Sequence, residues 1–169
     1  MLSGHRIAIA ALALAAATGC AFGADSVSKK DQEFFTKAAG GGMFEVEVGK
    51  LAESKAGDPQ VKAFGSMLVK DHGAANDELK ALASRKGAQL PASLPADKQK
   101  KVDKLSKSKS FDKDFIKEVG LKDHKSDIAL FEKTSKGADD ADVKAFAAKT
   151  LPTLRQHLEH AQGLDKAKH

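Results

Sequence analysis

Apolar residues recur at intervals of three and four along four long stretches of the chain. That spacing predicts four amphipathic helices. From about Pro59 to Lys86 one stripe reads Val61, Phe64, Leu68, His72, Ala75, Leu79 and Leu82. Toward the carboxyl end a second reads Val143, Phe146, Thr150, Leu154, His157, Ala161 and Leu164. Between them, Ile116, Gly120, His124, Ile128 and Phe131 share a face. Nearest the amino end, Phe35, Ala38, Gly42, Glu45, Gly49 and Ala52 do so, with small residues that permit close helix contact. Gly40-Gly41-Gly42 costs roughly 1 kcal/mol per residue relative to alanine inside a helix, so the helix is read through it with room for a local kink or widened turn.

The punctuation between stripes sets the boundaries. The first helix is expected from about Lys30 to Ala56, before Gly57-Asp58-Pro59. Asp58 suits an N-cap and Pro59 the first helical position. Gly87 closes the second helix. Residues 88–109 form a Pro-, Lys- and Ser-rich connection, with a short helix expected from about Ala96 to Lys107. Ser110 and Asp112 offer caps to the third helix, which Gly137 stops near Lys136. Asp139 or Asp140 opens the fourth, which runs to about Lys166 and should kink at Pro152. Val61-Lys62-Ala63-Phe64 recurs as Val143-Lys144-Ala145-Phe146, each opening the second helix of a pair. The fold expected is all-α: two helical hairpins joined by a long crossover with a short helix, as in ferritin-like four-helix bundles.

Composition narrows the function classes. The 169 residues suit one domain, and Phe is the only aromatic, which argues against aromatic stacking platforms for RNA. The net charge of +5 is mostly lysine interleaved with acids, the pattern of a solvated helix surface. No arginine cluster or reading motif points to nucleic acid. Residues 1–24 begin with His5-Arg6, continue through an apolar run from Ile7 to Ala17, and end in small residues, the pattern of a secretory signal peptide. The mature domain is then 25–169, exported to the periplasm or outer membrane. Two processing outcomes fit: cleavage near Asp25, or lipidation of Cys20 in the lipobox-like Ala17-Thr18-Gly19-Cys20. Surface lysines would assist docking on an anionic envelope surface beside such an anchor.

One polar residue interrupts each stripe: Glu45, His72, His124 and His157. Helical rise puts Glu45, His72 and His124 at about 18, 22 and 21 Å above one end of the bundle, and His157 at about 12 Å. A carboxylate in an apolar core is costly unless paired or bound to metal. Three imidazoles and a carboxylate can surround one Zn, Cu or Fe ion. Asp71 and Asp123 precede two of the histidines, while Asp127 and His160 lie three residues beyond His124 and His157. These four are candidates to support or enlarge the site. Taken singly, each histidine also suits a core position with one hydrogen bond, and Glu45 with a histidine suits an ion pair.

These residues carry a resemblance. Phe44-Glu45-Val46-Glu47-Val48-Gly49-Lys50-Leu51-Ala52, Met67-Leu68-Val69-Lys70-Asp71-His72, Phe111-Asp112, His124 and Leu151-Pro152-Thr153-Leu154-Arg155-Gln156-His157-Leu158 together resemble a bacterial family of exported "predicted outer-membrane" proteins with a ferritin-like domain of unknown function. The resemblance spans about Asp31 to Leu164. It implies a helical bundle in the periplasm or at the outer membrane, and it implies no established activity. The Glu-x-x-His pairs of di-iron proteins are absent: Val69, Leu121 and Leu154 occupy the positions three before His72, His124 and His157. The expected function is a non-enzymatic envelope protein holding one transition-metal ion. A metal-free structural or interaction module and a metal-dependent enzyme are the alternatives.

Overall fold

The computed structural model describes residues 27–167; the expected signal segment and Cys20 lie outside the described residues. The elements are α1 (Lys29–Lys55), α2 (Pro59–Lys86), α3 (Ala96–Ser106), α4 (Phe111–Asp114), a π-helical segment (Phe115–Asp123), α5 (His124–Gly137) and α6 (Ala141–Ala167). α4, the π segment and α5 follow one another without interruption as a single rod. There are no strands, and no helix is long and apolar enough to cross a membrane, among the described residues.

Caps on distant segments fix the helix order. Asp112 at the start of α4 accepts the backbone N–H groups of Gly57 and Asp58, tying it to the α1–α2 turn. At the opposite end, buried Asp31 in the first turn of α1 accepts the N–H groups of Asp139 and Asp140 in the α5–α6 turn. Lys86 at the end of α2 pairs there with Asp140 and Asp142. The chain therefore runs up in α1, down in α2, crosses the full bundle length through residues 88–110, then runs down through α4 and α5 and up in α6. Each carboxylate neutralises N–H groups that a helix start leaves without intrahelical partners.

Several local expectations resolve differently. Asp58 and Asp140 cap α2 and α6, and Gly87 ends α2 in the left-handed region at φ 68°. Ser110 makes no side-chain cap bond, and the Asp112 carboxylate serves the neighbouring hairpin instead of its own helix. Gly137 is the last residue of α5, and Ala138 takes the cap in extended conformation. α1 passes through Gly40-Gly41-Gly42 as α-helix, with no widened turn. There Pro95, the Asp127 carboxylate and the Asn76 amide fill the space that side chains would occupy. α6 continues as one helix through exposed Pro152, inside its span as expected.

The core has two apolar layers. Near one end, Phe34 packs edge-on against Phe131 at 5.1 Å, with Leu79, Leu82 and Phe146 in the same cluster. Near the other, Phe64 meets Phe115 edge-on at 5.9 Å, with Val48, Leu68 and Val119 around them. α1 and α2 cross closely in this layer at Gly49 and Gly65. A Cβ on Gly65 would stand 2.7 Å from both the Ala52 Cβ and the Gly49 carbonyl oxygen. Along each long helix, the polar residue that breaks the stripe falls between the two layers.

Candidate metal centre

Four helical elements deliver buried polar side chains to the level between the apolar layers. Glu45, His124 and His157 are fully buried and His72 is 7% exposed. His72, His124 and His157 each contribute one ring nitrogen to a group whose members lie within 4.8 Å of one another. The three ring centroids are 5.3 to 5.6 Å apart. His157 thus shares the level of the other two, although straight α-helical rise placed it lower. The π turns widen the rod immediately before His124 and break the uniform rise on which that placement depends.

Fixed acceptors settle which nitrogens carry hydrogen. His124 Nδ1 lies 3.0 Å from the carbonyl oxygen of Val119, five residues earlier in the π segment. A carbonyl only accepts, so Nδ1 donates and Nε2 keeps its lone pair. His157 Nε2 lies 3.0 Å from Asp71 Oδ2. A carboxylate there accepts the Nε2–H, leaving the lone pair on Nδ1. Those two bare nitrogens, His124 Nε2 and His157 Nδ1, face one another at 3.3 Å. His72 Nε2 is buried with no hydrogen-bond partner.

Burial keeps all three rings neutral at neutral pH. It drives His72 well below its ordinary value, with His124 and His157 adding to the effect. It pushes His124 down to about 4 against the opposing Val119 hydrogen bond. It lowers His157 too, against the Asp71 hydrogen bond. The result is a set of unprotonated imidazoles whose lone pairs have no proton between them, the ligand form that metal binding requires.

The remaining candidates lie around this set. Glu45 Oε1 is 3.8 Å from His124 Nδ1, the nitrogen already committed to Val119, so Glu45 sits behind His124. Both its oxygens lack hydrogen-bond partners, and burial, with Asp127 and Asp123 nearby, holds its pKa well above the ordinary carboxyl range. Burial thus disfavours charge on both Glu45 and His124, the condition under which an ion pair between them is weakest. Asp71 orients His157. Asp123 turns to the crossover, where Lys101 reaches it at 2.7 Å and Lys98 at 3.7 Å. Half-buried Asp127 lies over Gly41, and burial raises its pKa to about 6. His160 stacks on Phe64 at 5.2 Å and 7°, apart from the three nitrogens.

Fold and site together define a helical bundle with a buried three-imidazole centre able to hold a metal ion. Residues 7–164 match the family described as Domain of unknown function (DUF4142), and the chain belongs to that family. Among solved structures, it is similar to one titled "Crystal structure of DUF305 fragment from Deinococcus radiodurans". The TM-score is 0.72 at 11% identity, over 84% of this chain and 99% of that one, a likeness of fold. No relative was found among functionally curated proteins.

Proposed function

We propose that the protein binds one first-row transition-metal ion, Zn, Cu or Fe, through His72, His124 and His157. The observation that carries this is the pair of facing lone pairs on His124 and His157 at 3.3 Å. Two nitrogens bound at about 2.0–2.1 Å to one tetrahedral ion lie roughly 3.3 Å apart. Without an ion the contact sets one lone pair against another; with one it is an edge of a coordination polyhedron. Asp71 supports the site as the carboxylate partner of a ligating imidazole, a role that fixes tautomer and ring direction. Three neutral ligands suit binding, buffering or delivery of metal, and the site carries no catalytic assignment. The amino-terminal signal-like pattern supports a place in the periplasm or outer membrane, and the up-down-down-up order with its crossover supports a ferritin-like reading of the bundle.

The test is metal analysis of the untagged chain, stripped and reloaded with Zn²⁺ or Cu²⁺ at micromolar concentration. One ion per chain is expected, with affinity weakened about 10–100-fold in Asp71→Ala. No uptake by the folded protein, or uptake unaltered in His72→Leu and His124→Leu, overturns the proposal.

A further inference from the structure

We propose that the bound ion keeps one coordination position open to the groove between α2 and α6, and that a small inorganic anion, exchanging with water, enters there. This rests on the metal reading above and adds what the site admits. Among the described residues, no carboxylate joins the three ring nitrogens in their group. Glu45 lies beside the far nitrogen of His124, and Asp71 is engaged by the far nitrogen of His157. The protein therefore supplies three ligands where a tetrahedral ion takes four, the arrangement of sites that keep an exchangeable position.

The groove leads to that position. It encloses about 460 Å³, with His72, His157 and Asp71 among its lining residues. Thr153 and Leu154 of α6 also line it, and Glu78 and Lys149 pair across it between the two helices at 2.8 and 2.9 Å. His124 does not line the groove, and His157, itself fully buried, meets it on the side where Asp71 engages Nε2. The ion would lie beneath the part of the groove floor that His72 and His157 form, and the fourth position would be reached between those two rings. A divalent ion with three neutral ligands keeps its full positive charge in a low-dielectric site, which favours an anion in the fourth place. The exchange is a ligand substitution: the anion donates a lone pair to the metal, and the water it replaces leaves by the groove.

The test uses the Cu²⁺-loaded full chain titrated with azide and followed by absorption. A saturable azide-to-copper charge-transfer band is expected, one azide per copper, with copper retained through gel filtration. Ala74→Trp on the exposed rim and Thr153→Trp on the wall should leave copper stoichiometry unchanged and weaken azide binding by an order of magnitude or more. Copper bound with no azide band, or copper stripped by azide, overturns the open position and leaves the metal reading standing. A band untouched in both variants overturns the groove as the approach. Failure to take up copper, read separately by metal analysis, defeats both.

Discussion

Replacing His72 by leucine separates two roles a buried imidazole can have. In the metal-free protein, His72 Nε2 is buried and makes no hydrogen bond. Removing a buried, unsatisfied polar group recovers roughly 1–3 kcal/mol. Leucine has a similar volume, and such a swap costs under about 1.5 kcal/mol in packing. The metal-free variant should therefore be as stable as the parent or up to about 2 kcal/mol more stable, a rise of up to roughly 8 °C in Tm for a chain of this size. Metal at a hundredfold excess over Kd stabilises the parent by about 2.7 kcal/mol and should do little for the variant. The order of stability then inverts on adding metal. His124→Leu behaves differently, because it strips the buried Val119 carbonyl of its donor and should cost roughly 1–3 kcal/mol even without metal. Thermal melts by far-ultraviolet circular dichroism suit a chain with neither Trp nor Tyr. A metal-free His72→Leu protein melting well below the parent, with the gap unchanged by metal, would refute the reasoning.

Two further outcomes follow from other parts of the bundle. Asp127, raised from 3.8 to about 6 by burial, binds its proton more tightly folded than unfolded. Its contribution is complete below pH 3.8 and is lost as pH rises through about 6, so Asp127→Asn should flatten the pH dependence of metal-free stability across that window by up to roughly 3 kcal/mol. Urea unfolding at several pH values measures this, and identical slopes for parent and variant contradict it. Gly65→Ala forces the α1–α2 crossing apart and should cost about 1–3 kcal/mol, whereas Gly163→Ala, on an exposed position with nothing within 4 Å, should add up to about 1 kcal/mol. Equal melting temperatures for the two variants count against the close crossing.

What could be read from the sequence was local or periodic. The spans of α1, α2 and α6, the cap at Asp58, the stop at Gly87 and the short crossover helix all follow from stripes and punctuation, which also narrow the last cap to Asp139 or Asp140. The three histidines were visible because each breaks an apolar stripe. What was not legible depends on contacts between distant segments. Asp112 caps a hairpin more than 50 residues away, and Asp31 one more than 100 away. Nothing in residue spacing says that Glu45 lies behind His124 rather than among the three nitrogens. The glycine run suggested a widened turn, but neighbours from three other segments pack against it and keep it helical. The widened turns lie at Phe115–Asp123, and a signal for them was present: Ile116, Gly120, His124 and Ile128 keep strict intervals of four, too long for a straight stripe on a helix of 3.6 residues per turn.

That π segment makes the rod a shaft with two angular frames. Within it, Phe115, Ile116 and Val119 join one apolar layer; beyond it, His124 is buried at the centre and Phe131 in the other layer. Were the segment to close into α-helix with all its residues kept, everything on one side would turn relative to the other by about 100° for each extra residue the wide turns absorb. Either the Phe115 layer or the imidazole would then point outward, with no side chain altered. The property that inheritance must preserve here is a count of residues matched to the width of the turns. Relatives that keep the histidine triad on a plain α-helix should carry a compensating gap between the positions of Phe115 and Asp123.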